Sequence, residues 1–284
     1  MSNGKWKLNT MEENKFPKIS IITCTYNSEK FLNRALESIE QQTYRNIEHI
    51  INDSYSTDES LRIIAEYVER NQGKYSIKLI HSDPKGVGNA LNVGTKEATG
   101  DLIHYLHSDD YYSDPTSLEK VALKFRERPN LVWMMGNFLV EIKGKQFTIP
   151  NTQLIRLNPK MALSLMNFIS HENTFMRREA IEDYGGFNET KEDVVEYSLW
   201  LHLIREHDPL IINDQYTAFI IHKGSTSTGN VFKFLKAVFR AFHTLTRERV
   251  FPIYGYYGDS QFYLVMKQFV QRVTKIFSLL TTLS

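Results

Sequence analysis

Cysteine is almost missing from this sequence. Cys24 stands alone among 284 residues, so no disulfide can form within the chain. That excludes a disulfide-stapled extracellular scaffold and favours a reducing compartment, the cytoplasm. No apolar run approaches the ~20 residues that span a bilayer. The polar stretch Met1 to Pro17 lacks the apolar centre of a secretory signal. An excess of one charge is missing too: 34 Lys and Arg against 33 Asp and Glu leave a net +1, giving no overall field to draw in nucleic acid. There is no internal repeat and no low-complexity tract.

What is present is the composition of an ordinary globular chain, 42% hydrophobic and 24% charged, long enough for one large α/β domain with an appendage. A buried strand over Lys18 to Thr25 leads into a helix, Glu29 to Gln42, carrying Phe31, Leu32, Ala35, Leu36 and Ile39 at helical spacing. A second strand, Ile47 to Asn52, leads to a helix with Leu61, Ile64, Ala65 and Val68, capped near Thr57 and Asp58. Strand Ser76 to His81, a short helix to Ala98 and a strand from Leu102 follow. Strand alternating with helix in this way predicts a parallel, doubly wound sheet. Beyond it come a helix to about Arg128, a strand Leu131 to Ile142, a hairpin turn at Lys143 to Lys145, a short strand near Thr174 to Arg177 and a helix Lys191 to Arg205. From Val231 two amphipathic helices are expected, with eight Lys and Arg against two Asp and Glu.

In an open α/β sheet the ligand crevice lies at the carboxyl ends of the strands. Asp109 and Asp110 end one strand and suit a hard divalent cation, which in turn suits a nucleotide diphosphate. Thr23, Thr25, Tyr26 and Asn27 leave the first strand at the same edge, with hydroxyls, a ring and an amide to hold a base and ribose. Asp53 ends the second strand and can accept the N–H of a uracil-like base. Lys85, Gly86, Asn89 and Asn92 belong to a glycine-containing loop that opens a helix, where phosphate is attracted and Gly88 permits close backbone approach. The third glycine of a dinucleotide fingerprint is absent, which discounts an NAD site.

In order along the chain, Ile19 to Asn27, Ile47 to Asp58, Gly88 to Gly94 and Ala98 to Asp110 closely resemble the family 2 glycosyltransferases of the GT-A fold. The resemblance runs from about Lys18 to Thr228. It implies an α/β, Rossmann-like mixed sheet with a C-terminal helical extension. The chain then divides into a polar N-terminal extension (1–17), a GT-A domain (18–228) and a basic amphipathic helical tail (229–284). Within the domain, 18–114 would bind the nucleotide sugar and 115–228 the acceptor.

By the same resemblance, Thr25, Tyr26 and Asp53 match nucleoside contacts. Asp109 matches the last acid of an Asp-x-Asp motif that binds Mg²⁺ or Mn²⁺, with Asp110 the acid that often follows. His107 stands where that motif has its first acid, and Ser108 lies between them beside the donor. His171 and Glu172 would face the sugar or acceptor, with Trp200 on the acceptor side. Glu196 aligns with the catalytic base and Asp193 is its rival. His222 and Lys223 would approach the diphosphate.

The activity implied is inverting transfer of one sugar from a nucleotide sugar, UDP-linked, to a hydroxyl of a glycan or lipid-linked acceptor in cell-surface polysaccharide or glycoconjugate synthesis. The Gln-x-x-Arg-Trp motif and membrane spans of polymerising members are absent. His107 and Glu196 depart from the usual acids and motivate an alternative, a non-catalytic nucleotide-sugar-binding or assembly subunit. A nucleotidyltransferase would need a Gly-rich, Arg- and Lys-bearing loop after the first strand, which is not there. Phe232, Phe234, Leu235, Val238, Phe239 and Phe242, interleaved with Lys233, Lys236 and Arg240, suit peripheral attachment to an anionic leaflet. Packing of that tail on the domain or on a second copy, in a homo-oligomer, is the competing expectation; no nucleic acid is expected as a partner.

Overall fold

A computed structural model of the chain describes residues 15–149, 151, 158–165, 169–189 and 195–222. The expected tail 229–284, Asp193, Lys223 and most of the 1–17 extension lie outside the described residues.

Strands β1 (Ile19–Thr25) and β2 (Ile47–Asp53) are rich in β-branched residues and almost wholly buried, as expected of central parallel strands. With β3 (Ser76–His81) and β4 (Leu102–Tyr105) they form a parallel set in the order β3-β2-β1-β4. Here the sequence reading holds. Helices α1 (Leu32–Glu40), α2 (Ser60–Arg70) and α3 (Val87–Lys96) supply the crossovers. β3, at the edge, is largely exposed, with only Ile77 and Ile80 half-buried, and carries a Lys78–Glu97 ion pair. Charge of this kind discourages pairing with a further strand.

Beyond β4 the sheet stops being purely parallel. After the short β5 (Tyr111–Tyr112) and α4 (Ser117–Glu127), the expected strand Leu131 to Ile142 is two strands in two sheets. β6 (Trp133–Met135) joins the large sheet, and β7 (Phe138–Ile142) joins a second one. Gly136 stands at the switch: a Cβ there would lie 2.5 Å from the Asp214 carbonyl oxygen, so only glycine lets segment 213–216 pass so close. β7 turns into β8 (Lys145–Ile149) through Lys143 and Gly144, both at positive φ (49° and 77°), as a primed two-residue hairpin turn requires.

α5 (Pro159–Leu165) precedes a single 3₁₀ turn, His171–Asn173, which runs into β9 (Thr174–Arg177). β9 is antiparallel to both β4 and β6, and β10 (Leu210–Ile211) closes the edge, giving seven strands in the order β10-β6-β9-β4-β1-β2-β3. α6 (Arg178–Tyr184) and α7 (Tyr197–Glu206) cover this half. The second sheet, β5-β11-β7-β8, includes β11 (Thr217–Ile221), a strand the sequence reading does not predict. The strand–helix alternation holds for the parallel half, and the whole sheet is mixed, as the family resemblance implies, with a small four-stranded sheet beside it.

The core lies on both faces of the large sheet. One cluster, around Tyr105, Trp133, Met176 and Trp200, packs under α3, α6 and α7; the other, around Ile21, Phe125, Phe175 and Tyr216, packs under α1 and α4. Among the described residues no helix is long and apolar enough to cross a membrane.

Candidate active site

The parallel register sets Thr25 beside Asp53, and Asp53 beside His81, so three strand ends share one edge. Asp53 is fully buried, and Ser56 donates to it twice, from its backbone N–H at 2.9 Å and its hydroxyl at 2.5 Å. The carboxylate thus shapes the loop that follows β2. His81 Nδ1 lies 3.6 Å from it, and the His81 ring stacks on Tyr55 at 5.5 Å and 17°. Tyr55 sits at φ 59° and is 57% exposed, as is Tyr26. Asn27, at φ 48°, accepts from the Thr57 N–H at 2.9 Å through its side-chain oxygen. The Thr25 hydroxyl is buried without a partner. Two open aromatic rings therefore flank Asp53. Sequence reasoning missed Tyr55 and His81, although an aromatic two residues past a strand-ending acid was a usable signal.

Thr23 is a correction. It is fully buried and bonded to His49 Nε2 at 3.0 Å, with His49 in turn bonded to Tyr67. Burial pushes the His49 imidazole down to about 3, so this chain is neutral core structure out of a nucleotide's reach.

The loop before α3 also has a different task. Asn92 donates to the Phe187 carbonyl at 2.9 Å and to Glu189 at 2.8 Å, and accepts from the Phe187 N–H at 2.7 Å. Asn89 donates to the other Glu189 oxygen at 3.1 Å. A Cβ on Gly88 would stand 3.0 Å from the Asn188 carbonyl oxygen. Asn92, Asn89 and Gly88 thus clamp segment 187–189 onto α3. The expectation that Asn92 contacts phosphate is corrected, because its amide is spent on this clamp. Gly86 (φ 102°) opens the helix, and Lys85 stays at the surface, 3.3 Å from Asp83.

Past β4 the chain reaches His107-Ser108-Asp109-Asp110. The Ser108 hydroxyl meets that of Ser28 at 2.9 Å. Asp109 Oδ2 lies 3.1 Å from His222 Nε2, at the end of β11, and the His222 ring packs on Phe31 at 4.2 Å. Both members are partly exposed, at 29% and 23%. A carboxylate and an imidazole side by side form a donor pair that a divalent cation accepts readily.

Asp110 differs from the expectation. It is 1% exposed, its Oδ1 takes the Ile220 N–H at 3.0 Å, and its Oδ2 is buried without a partner. Burial, with the nearby Glu172 and Asp109 charges, pushes its carboxyl well above the usual carboxylate range. It fastens the acidic loop to β11 rather than standing beside Asp109 as a second open ligand.

The third group gathers around His171, which is 6% exposed with neither ring nitrogen hydrogen-bonded. Its Nδ1 lies 3.5 Å from Glu196 Oε1, and its ring faces His107 at 5.1 Å and 25°. Burial, then the charges of His107 and His104, holds the His171 imidazole well below its ordinary value. Glu196, at the N-terminus of α7, is 27% exposed, and desolvation raises its carboxyl above the ordinary range. Glu172 is buried, bonded to Ser170 at 3.0 Å, and acts on the site through its charge. Trp200 is a correction: it is 1% exposed and stacks on Trp133 at 5.9 Å, in the core beneath His171 rather than open to an acceptor.

Comparison with known proteins gives this geometry its context. The pattern of the family described as "Glycosyl transferase family 2" matches residues 20–185. An uncharacterized glycosyltransferase from Haemophilus influenzae is 29% identical over 252 residues, 85% of this chain and 96% of its own. The Staphylococcus aureus poly(ribitol-phosphate) beta-N-acetylglucosaminyltransferase TarS is 33% identical over 107 residues, 37% of this chain but 18% of its own length. The structure of TarS 1–349 in complex with UDP matches 80% of this chain and 65% of its own at a TM-score of 0.61 and 21% identity. The mannosyltransferase PcManGT from Pyrobaculum calidifontis, in complex with GDP-Man and Mn²⁺, matches 99% of this chain and 87% of its own at 0.61 and 15%. At such identities the structural likeness establishes the fold.

Proposed function

The chain belongs to glycosyl transferase family 2 and has the GT-A fold, and from that membership we propose that it moves a single sugar, with inversion, from a nucleotide sugar to an acceptor hydroxyl. The observation that carries this reading is the placement of Glu196. Its half-open carboxylate clusters with His107, two residues before Asp109, where desolvation strengthens its hold on a proton.

In this reading Tyr26 and the Tyr55–His81 stack take the base, in a loop that Asp53 holds in shape. Asp109 and His222 hold Mg²⁺ or Mn²⁺, which would neutralise charge on the departing nucleoside diphosphate. Glu196 accepts the proton of the acceptor hydroxyl as that oxygen attacks the anomeric carbon. The bond from that carbon to the diphosphate oxygen breaks on the opposite face, and its electron pair leaves with the nucleotide. One displacement gives inversion. TarS, with UDP bound and an acceptor polymer in its name, supports a UDP-linked donor and a cell-surface glycan or lipid-linked acceptor. The basic tail would bring the enzyme to the cytoplasmic face of the membrane.

The test is a panel of nucleotide sugars with Mn²⁺ or Mg²⁺, reading release of free nucleoside diphosphate. One donor should be turned over, and both Asp109→Ala and Glu196→Gln should lower its kcat by about 10²–10⁴-fold. Undiminished release by Glu196→Gln would reject Glu196 as base. Metal-dependent UDP binding without turnover of any donor or acceptor would favour the binding-only subunit.

A further inference from the structure

Glu196 has a second chemistry available. Among the described residues, His107, His171 and Glu196 form a group whose ligand atoms, one from each, all lie within 4.8 Å of one another. We propose that this trio is a transition-metal site of the two-histidine, one-carboxylate kind, separate from the Asp109–His222 pair, and that a zinc-class ion bound there inhibits transfer. The inhibitory part rests on the reading of Glu196 as base; the binding part does not.

The geometry is close to what the ion needs. Ligand atoms about 2.0–2.1 Å from a tetrahedral zinc lie roughly 3.3–3.4 Å from each other. The His171–Glu196 pair, at 3.5 Å, already meets this, and the remaining separations close by side-chain rotation of the half-exposed His107 and Glu196. His171 supplies the independent sign of a ligand. It is an imidazole over nine-tenths buried, walled by Tyr105 (5.1 Å), Phe187 (6.4 Å) and Trp200 (6.1 Å), and neither nitrogen has a hydrogen-bond partner. A buried polar group left unpaired is costly, and a metal bond relieves it.

Selectivity follows from the donor atoms. Two imidazoles favour Zn²⁺, Co²⁺ or Ni²⁺ over Mg²⁺, whereas one carboxylate with one imidazole is less discriminating. The partly exposed side of Glu196 leaves the fourth position to water. Coordination withdraws electron density from the Glu196 carboxylate and weakens its hold on the acceptor proton, so the ion and the base function compete.

The test uses the full chain with saturating Mg²⁺, titrated with Zn²⁺ by calorimetry and with Co²⁺ by visible absorption. One Zn²⁺ per chain is expected, with a Co²⁺ spectrum of four-coordinate intensity. His107→Ala and His171→Phe, the latter retaining the ring volume, should each weaken binding by at least about 100-fold, while Asp109→Ala leaves it unchanged. Circular dichroism confirms that the variants are folded. No Zn²⁺ uptake, or uptake indifferent to both histidine changes, overturns the site. Zn²⁺ bound at the site with donor turnover undiminished overturns the inhibition, leaving the donor panel to judge Glu196 by itself.

Discussion

At the scale of single residues, the acid pair after β4 divides its labour by burial. Asp109 is partly open and faces His222, whereas Asp110 is enclosed and holds the Ile220 N–H. Its elevated carboxyl sets a sign for stability. A group whose folded pKa is raised contributes fully at acid pH, and that contribution is lost as the pH climbs through its elevated range. Asp110→Asn keeps an oxygen for Ile220 and cannot ionise. In chelator, its melting temperature should gain on the wild type as the pH rises from about 4 to about 8. A constant gap across that range would reject the burial argument. Thr23, Asn92 and Trp200 teach a related point: residue type marks each as able to bind a ligand, but His49, Glu189 and Trp133 already occupy them.

At the scale of elements, one buried carboxylate joins three strands. Glu48 of β2 receives Lys18 Nζ at 2.6 Å, Ser20 of β1 at 2.5 Å, and the N–H groups of Thr99 and Gly100 at 2.6 and 3.0 Å, at the entry to β4. Burial alone would raise its carboxyl, but these donors outweigh it and hold it at about 2. The contribution is present above the ordinary value of 4.5 and is lost as the pH falls toward 2. Glu48→Gln should cost on the order of 2–3 kcal/mol at neutral pH, and the cost should shrink below about pH 4 in urea titrations. The second sheet illustrates the limit of reading elements from pattern. Leu131 to Ile142 reads as one strand, yet the close pass of Asp214 at Gly136 sends its halves into different sheets.

At the scale of the whole molecule, the Asn89 and Asn92 clamp ties segment 187–189 to α3, and the His171 turn sets its ring against His107 and Glu196. The cationic tail sets the remaining expectation: the protein should sediment with anionic vesicles at low salt and be released at about 0.5 M salt. Indifference to such vesicles would assign the tail to protein packing. The sequence by itself determined the parallel βαβ half, the family and the acidic strand end, because these follow from local periodicity and from motifs contiguous in the chain. Tertiary structure alone decided the sheet switch at Gly136, the burial that separates Asp109 from Asp110, and the meeting of His107, His171 and Glu196. Those depend on contacts between residues up to 113 positions apart, as Asp109 and His222 are, and on how much water each group keeps. Neither is written in local spacing, because burial is a property of the packed neighbours and not of the residue.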